Sequence, residues 1–435
     1  MTMTTRITKS LSDSEIGDLV QPMRVHRRVY SDPALFELEL ERIFARAWCY
    51  VGHESQVAQP GSFLRASIAR RPLVVVRNDK GGISVLHNRC GHRGALVVAA
   101  TTGRVKGFRC PYHAWTFRTD GSLQAVPCKA GYEGTGFDAT DPALGMLPVA
   151  RVGVYRGFIF ASLAADGPEL DEFLGPTKSA IDNMLGRAPA GRLEVVGGCF
   201  RARQNNNWKI YLENMHDGLH PMIVHQPSID PAVRGTKAEP PPGNNSAFAL
   251  KVIAANGQTY ESMASLPVRN FPFGHTEMAA FRSNPATEPE FREYRDQLVA
   301  IHGAEQVDQL LSDNRLSTMI YPSASVQATS LQMRVIIPEA VDRTLIEIWS
   351  LRLVGAPESL FHRTIVLANT AHSPSSIIKH DDFGVYARVQ AGMVGEGIEW
   401  IDYRRGLNDP STSMSEAYIR NQFQAWRAYM TAPST

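Results

Sequence analysis

The stretch Cys90–His113, CGHRGALVVAATTGRVKGFRCPYH, restricts the fold more than any other part of the sequence. It holds a Cys-x-His pair and a Cys-x-x-His pair, with seventeen residues (93 to 109) between them. Two such pairs serve one site only if two loops present them face to face across a gap. The surrounding pattern supplies the loops. From about Pro60, GSFLRASI, PLVVVRNDKGGISVLHN, GRVKGFRC and AWTFRTDGSLQAVP read as short strands, broken by turn clusters at Asn78–Gly82 and Thr119–Gly121. The sequence thus predicts a small antiparallel β-domain with Cys90, His92, Cys110 and His113 at the ends of two β-hairpin turns. Two sulfurs and two nitrogens suit tetrahedral zinc, or a [2Fe–2S] centre in which two His replace two Cys on one iron. Zinc sites usually place two to four residues inside a Cys pair, and the one-residue gap of CGH fits that poorly. A cluster needs one Cys and one His from each loop, so that each loop gives one ligand to each iron. The observed spacing meets that demand.

At 435 residues the chain has room for more than this domain. Ahead of it, SDPALFELELERIFARAWCYVGH reads as a helix capped by Asp32, with Pro33 in its first turn. After it, residues 129–150 look like a connection, RVGVYRGFIFASL like a strand, and PELDEFLGPTKSAIDNMLGR like a helix interrupted at Pro176. Further strands are expected at RLEVVGGCFRARQ, FALKVIAAN, ASVQATSLQMRVIIP and TLIEIWSLRLVG, and a loop at AEPPPGNNS. Helices are expected from Asn207 and near 359–371, 382–394 and 413–430. The expected class is α+β. An N-terminal helical segment, 1–45, packs on the larger domain; the β-domain spans 46–160 and the larger domain 161–435. Cys49, Cys128 and Cys199 have no His at useful spacing and read as buried small hydrophobes.

The larger domain carries a second constellation, NNNWKIYLENMHDGLHPMIVHQ. On a helix from Asn207, Asp217 and His220 would be i,i+3 neighbours, and Gly218 and Pro221 would let His225 swing to the same point. Two His and a distant carboxylate make the facial triad of non-haem Fe(II) oxygenases. His216 with His220 forms a competing i,i+4 pair, which suits zinc or a plain polar face.

These motifs together resemble the Rieske non-haem iron aromatic ring-hydroxylating oxygenases, in particular their large (alpha) subunit. The resemblance rests on C-x-H…C-x-x-H with its flanking HRG and PYHAW, on Asn207-Trp208-Lys209, Glu213-Asn214 and D-x-x-H-x-x-x-x-H, and on LERIFARAWCYVGHESQV. It covers most of the chain. It implies that Cys90 and Cys110 hold one iron of a [2Fe–2S] Rieske cluster and that His92 and His113 hold the other. His220 and His225 become ligands of a mononuclear Fe(II), and His216 becomes a bystander. The third ligand comes from SSIIKHDDFGVYARVQAGM: aligned back from Tyr386 and Gln390 it is Asp382, with Asp381 as runner-up, though both acids could simply cap the helix. Asp217 becomes the carboxylate that orients His220 and passes electrons between subunits. Leu219 stands where many members have Tyr, and the spacing of Asn214 is shared by only part of the family. The implied catalytic fold is a helix-grip (START-like) domain.

The implied activity is that of a terminal oxygenase, which uses O2 and electrons from a reductase or ferredoxin to hydroxylate an aromatic substrate. Cis-dihydroxylation is expected ahead of monohydroxylation or O-/N-dealkylation; a Rieske electron carrier without oxygenase activity is the remote alternative. NAD(P)H enters only through the reductase, and the expected assembly is a homotrimer or an alpha3beta3 complex with a small beta-subunit. Met222, Phe248, the NFPFGH loop, TMIYPSASV and the helix after Asp382 are expected to wall the pocket. Arg201, Arg203 and Arg334 could pair a substrate carboxylate but read more readily as solvated sheet-face residues, and none is assigned. Composition sets limits on partners. A net charge of +2 offers no field for nucleic acid or membrane, and no apolar run reaches the roughly 18 residues of a spanning helix. Five cysteines and a start without an apolar segment are read as a cytoplasmic protein.

Overall fold

The computed structural model describes residues 11–235, 249, 253–254, 259–280, 289–313, 315–374, 376 and 378–432. Within the β-domain, Ser62–Ile68, Arg71–Arg77 and Ile83–His87 form an antiparallel meander. Its second turn is closed by Asn78, whose Oδ1 accepts the N–H groups of Lys80 and Gly82 at 3.1 Å each. Thr102–Arg104 pairs with Ser62–Ile68 and completes a four-stranded sheet. A smaller sheet joins Phe108–Arg109, Thr116–Phe117 and Leu123–Ala125. Phe63, Val74, Val76 and Leu86 of the first sheet meet Phe108, Phe117 and Leu123 of the second in one buried core, to which Cys90 and Cys110 belong.

One of the two expected hairpin turns is different. Cys110–Trp115 does join two paired strands, Phe108–Arg109 and Thr116–Phe117. The Cys90 loop instead connects Ile83–His87 to Thr102–Arg104, which lie on opposite edges of the four-stranded sheet. The connection, residues 88–101, carries the CGH turn and crosses the sheet as well.

The N-terminal helix also differs from expectation. Asp32 does cap it, accepting the N–H of Ala34 at 2.9 Å, but the α-helix ends at Glu39 and a π-turn covers Leu40–Phe44. Cys49–His53 is a strand, paired antiparallel with Phe158–Ser162. Cys49–His53 is buried along its whole length, so it shows no alternation to mark it in sequence, whereas the expected strand RVGVYRGFIFASL is two, Arg151–Tyr155 and Phe158–Ser162, paired antiparallel. The N-terminal segment is tied to the far end of the chain. Asp13–Asp18 packs against Ala417–Thr431, and Arg24–His26 pairs with Trp400–Asp402.

The larger domain is built on a seven-stranded antiparallel sheet in the order Leu193–Gln204, Arg343–Leu353, Gln332–Ala340, Ala324–Gln327, Arg315–Ile320, Thr276–Ala279, Val268–Asn270. The helices Trp208–Met215, Lys379–Val394 and Ala417–Thr431 flank it, a helix-grip arrangement. The break expected at Pro176 is a 3-10 turn, Gly175–Thr177, between Leu170–Leu174 and Lys178–Gly186. FALKVIAAN is not a strand where it is described: Ala249, Ile253 and Ala254 are helical, with Ala249 and Ile253 buried against Leu367, Ala371 and Ile378. A short apolar run does not distinguish the two periods, and here an i,i+4 pair found a helical partner. The expected loop at AEPPPGNNS and Phe248 lie outside the described residues.

Candidate metal centres

The two cluster loops repeat one turn. The Cys90 N–H donates to Ala95 O at 2.9 Å and the Gly94 N–H to Cys90 O at 3.0 Å; the Cys110 N–H donates to Trp115 O at 2.8 Å and the Ala114 N–H to Cys110 O at 3.1 Å. The fourth position after each Cys is left-handed, at φ +73° for Gly94 and +55° for Ala114. Gly91 has a different reason for being glycine. A Cβ there would sit 2.3 Å from Leu144 O, because the third loop of the domain presses on the CGH turn.

Both sulfurs are inside, with Cys90 at 2% and Cys110 at 3% exposure, while both imidazoles are half-buried. Burial pushes the Cys90 thiol up; the amides of His92 and Arg93 pull it down and neighbouring Cys110 pushes it up again. The rings of His92 and His113 lie 4.8 Å apart, and His92 stacks on Trp115 at 4.8 Å and 6°. His92 Nδ1 is buried with no hydrogen-bond partner. An inner pair of sulfurs, an outer pair of imidazoles and an orphaned ring nitrogen fit a [2Fe–2S] group held by Cys on the inner iron and His on the outer.

At the second site the structure revises the local path of the chain. The helix Trp208–Met215 ends before Asp217, and His220 opens a separate short helix, His220–Val224. Asp217 and His220 therefore do not share a helix face. In the break, Asp217 accepts the N–H groups of Leu219 at 3.1 Å and His220 at 3.3 Å. Gly218 is packed so closely that a Cβ would lie 2.5 Å from Ser413 Oγ. His225 follows the last residue of the short helix, which brings it back beside His220, ring centres 5.5 Å apart.

The Nε2 atoms of His220 and His225 lie 3.8 and 3.3 Å from Asp382 Oδ1. His220, His225 and Asp382 thus form a group whose ligand atoms all lie within 4.8 Å of one another. Behind each imidazole stands a carboxylate. Asp217 Oδ2 is 3.5 Å from His220 Nδ1, and Asp381 Oδ2 is 3.5 Å from His225 Nδ1. The two adjacent acids of KHDD thus occupy different places, Asp382 inside the triad and Asp381 behind it. Neither caps the helix, whose first residue is Lys379 and whose N-terminus has no side-chain cap.

Lys379 Nζ grips Asp382 Oδ2 at 2.7 Å, leaving Oδ1 to face the imidazoles. Burial pushes the Asp382 carboxyl up, but Lys379 and the two His outweigh it and hold the carboxyl well below the usual range. For Asp217 burial is likewise outweighed, here by His220 and by Arg405, whose Nη2 donates at 2.8 Å. Asn214 lies between Tyr386, whose hydroxyl donates to it at 2.6 Å, and Asp382 at 3.5 Å, so it does adjoin the triad. His216 points away and is fully buried against Thr276 Oγ1 at 2.7 Å, its pKa lowered to about 3 by burial.

The other motif residues are braces. Glu39, fully buried, accepts from Trp208 Nε1 and Trp426 Nε1 at 2.7 Å each and from Lys209 Nζ at 2.5 Å. Glu213 accepts from the hydroxyls of Tyr30 at 2.6 Å and Tyr403 at 3.1 Å. Gln390 receives the N–H of Asn207 at 2.7 Å. The N-terminal segment thereby clamps the helix that leads to His220. The sequence did carry a signal for Glu39, an acid on the same apolar stripe as Phe36, Leu40 and Ile43. For Arg405, 188 residues from Asp217, it carried none.

The cleft next to Asp382 is lined by Phe200, Tyr211, Ile346, Ile348, His372 and Phe383, among others. Of the expected walls, the helix carrying Asp382 contributes. Met222 packs on the main core instead, and His275 of NFPFGH is buried between Phe173 O at 2.8 Å and the Tyr321 N–H at 3.0 Å. Arg201 and Arg203 pair with Glu347 and Glu339 on the exposed sheet face. Arg334 is 5% exposed, against expectation, because its side chain lies on the sheet face covered by the helices.

A β-domain with a Cys/His turn pair, joined to a helix-grip domain with two His and an acid in contact, defines a two-centre iron protein of the Rieske type. Residues 47–143 match the Rieske [2Fe-2S] domain family, and residues 192–432 match the ring hydroxylating alpha subunit (catalytic domain) family. The 2-halobenzoate 1,2-dioxygenase large subunit of Burkholderia cepacia is 30% identical over 387 residues, 88% of this chain and 80% of that protein. The toluate 1,2-dioxygenase subunit alpha of Pseudomonas putida is 30% identical over 411 residues, 93% and 87% of the two chains. Naphthalene 1,2-dioxygenase from Rhodococcus sp. bound to indole shares the fold over 95% of each chain, with a TM-score of 0.78 at 24% identity. The chain belongs to the alpha subunits of the ring-hydroxylating oxygenases. Membership implies a [2Fe–2S] cluster, a mononuclear iron, an aromatic substrate, O2 and an electron-transfer partner. Among the described residues no helix is long and apolar enough to cross a membrane.

Proposed function

We propose that this chain is the terminal component of a cytoplasmic system that cis-dihydroxylates an aromatic substrate, with electrons passed from NAD(P)H through a reductase or ferredoxin. The observation that carries the reading is the convergence of His220 Nε2, His225 Nε2 and Asp382 Oδ1 on a chain that also holds a Rieske domain. Both curated relatives are named as 1,2-dioxygenases, which supports insertion of two oxygen atoms over monohydroxylation or dealkylation and puts aromatic acids among the candidate substrates.

When bound, the cluster supplies single electrons and the mononuclear iron supplies O2 activation. The protein's own part is positional. Cys90, His92, Cys110 and His113 would hold the cluster, with its imidazole side toward the surface where a partner can approach. His220, His225 and Asp382 would hold the iron. Lys379 keeps Oδ2 of Asp382 occupied, so that the acid offers one oxygen and coordination positions remain for O2 and substrate. Asp217 and Asp381, each 3.5 Å from an imidazole Nδ1, are placed to select the tautomer and orientation of the two rings from behind.

Asp217, 19% exposed, has no hydrogen bond or ion pair from residues 46–160 among the described residues. We assign it the electron relay from His113 of a neighbouring subunit to His220, in a trimer with or without a small beta-subunit. In this assembly 46–160 is the electron-receiving unit, 161–435 the catalytic unit and 1–45 its brace. The test is turnover with a surrogate reductase under 18O2. Two labelled atoms in the product establish dihydroxylation, one establishes monooxygenation, and none with three irons bound per chain removes the oxygenase reading.

A further inference from the structure

The inference rests on the oxygenase reading of the cleft and concerns what the cleft recognises. Arg201 and Arg203 have carboxylate partners, at 2.7 and 2.9 Å, on the solvent face. Arg334 has none among the described residues. It is the third residue of Gln332–Ala340, opposite Ser325 on one neighbouring strand and Ile348 on the other. Its guanidinium meets two neutral atoms, Gln332 Oε1 at 3.3 Å and His372 Nδ1 at 3.0 Å. Its Nε is buried with no hydrogen-bond partner.

Arginine does not give up its proton, and a buried guanidinium without an anion costs far more than two neutral hydrogen bonds return. Nearby polar atoms are also unused: Gln332 Nε2 and Gln204 Oε1 are both buried without partners. Gln204 and His372 line the cleft, and so does Lys379. His372 is held neutral by burial, reinforced by the two cations Arg334 and Lys379, with Asp382 the one acid opposing them. Lys379 is paired with Asp382, so the charge left unopposed is that of Arg334, which is bonded to His372 just behind the cleft lining. The remaining wall of the cleft is apolar: Phe200, Ile346, Ile348 and Phe383.

We propose that Arg334 anchors the carboxylate of an aromatic acid, with the ring lying in the apolar part of the cleft toward His220, His225 and Asp382. The guanidinium fork matches a carboxylate with two parallel hydrogen bonds, a match that a neutral amide of the same shape lacks. Arg334 is thus a specificity-determining residue, and neutral arenes are the disfavoured substrates.

The test is ligand binding to the iron-loaded, oxidised protein without reductant, followed by tryptophan fluorescence and calorimetry. The probes are benzoate, 2-chlorobenzoate and salicylate, each set against its neutral amide. The expected result is preference for the acids, and a loss of acid affinity of roughly 10- to 100-fold in Arg334→Met with the amides unaffected. Arg201→Met should change neither. Equal binding of acids and amides, no binding of any acid at millimolar concentration, or undiminished acid binding by Arg334→Met each overturns the proposal. If Arg334→Met fails to fold, the acid–amide comparison on the unaltered protein decides. The outcome is separable from the oxygenase reading. Acid binding with no O2-dependent product refutes the reaction and keeps the anchor, while turnover of neutral arenes alone does the reverse.

Discussion

Replacing Asp217 by Asn separates two jobs assigned to one carboxylate. The carboxylate accepts from the Leu219 and His220 amides at 3.1 and 3.3 Å and from Arg405 at 2.8 Å, and it faces His220 Nδ1 at 3.5 Å. Asn preserves the shape and one acceptor oxygen, so the break before His220 keeps its turn. What it loses is charge. The Arg405 bond, between groups 29% and 19% exposed, is worth about 1–2 kcal/mol, too little to unfold a domain of this size. The imidazole of His220 loses its negative partner, which for carboxylates behind metal-bound histidines typically weakens metal affinity by about 10–100-fold.

Iron affinity and electron delivery therefore respond differently to added Fe(II). At saturating Fe(II) the weakened site refills, and a residue that only positions His220 returns to nearly full activity. A relay residue does not. The expected result for Asp217→Asn is an unaltered reduced-cluster EPR spectrum, iron restored to three per chain by excess Fe(II), and turnover still down by more than about 100-fold. Rates would be followed across an Fe(II) titration beside iron analysis. Recovery of the unaltered rate once iron is restored would refute the relay and leave Asp217 as a positioning residue.

Asp382→Asn should abolish iron retention, whereas Asp381→Asn should weaken it about 10–100-fold, both read by iron content after dialysis; the reverse order would exchange their roles. Glu39→Gln leaves Lys209 charged and buried without an anion and should cost about 3–5 kcal/mol in denaturant unfolding, and a loss under about 1 kcal/mol would remove the clamp argument. Gly91→Ala drives a Cβ onto the Leu144 backbone and should lower cluster retention, read from visible absorbance per chain; an unchanged spectrum would contradict the close packing. Burial pushes Glu213 up to about 7 from an ordinary 4.5, so between those values the folded state holds a proton that the unfolded state has released. That contribution to stability is complete below pH 4.5 and is lost as pH rises through 7. The melting temperature should fall from pH 5 to pH 8, and Glu213→Gln should flatten the fall; an identical slope in the variant would clear Glu213 of the effect.

The residues of the two centres were legible because coordination chemistry imposes short, local spacings. CGH and CPYH are each one turn, and His220 and His225 lie five residues apart. The turn cluster at Asn78–Gly82 and the β-branched run Val74–Val76 located the strands from Ser62 to His87. Where burial covers both faces, as at Cys49–His53, neither signal was present and a helix was expected. The break at 216–219 was hidden as well. Asp217 suited the face of a continuing helix equally well, and it was Ser413, packed against Gly218, that excluded the alternative.

Sequence alone singled out which side chains could bind metal, since that follows from residue type and near-neighbour spacing. Tertiary structure decided which of two adjacent acids meets the imidazoles, which arginine lacks a counter-charge among the described residues, and that Glu39 and Tyr30 brace the catalytic helix. Those depend on contacts between positions 136 to 387 residues apart, governed by burial and by the direction each side chain leaves its strand or helix. Neither is encoded in any local window.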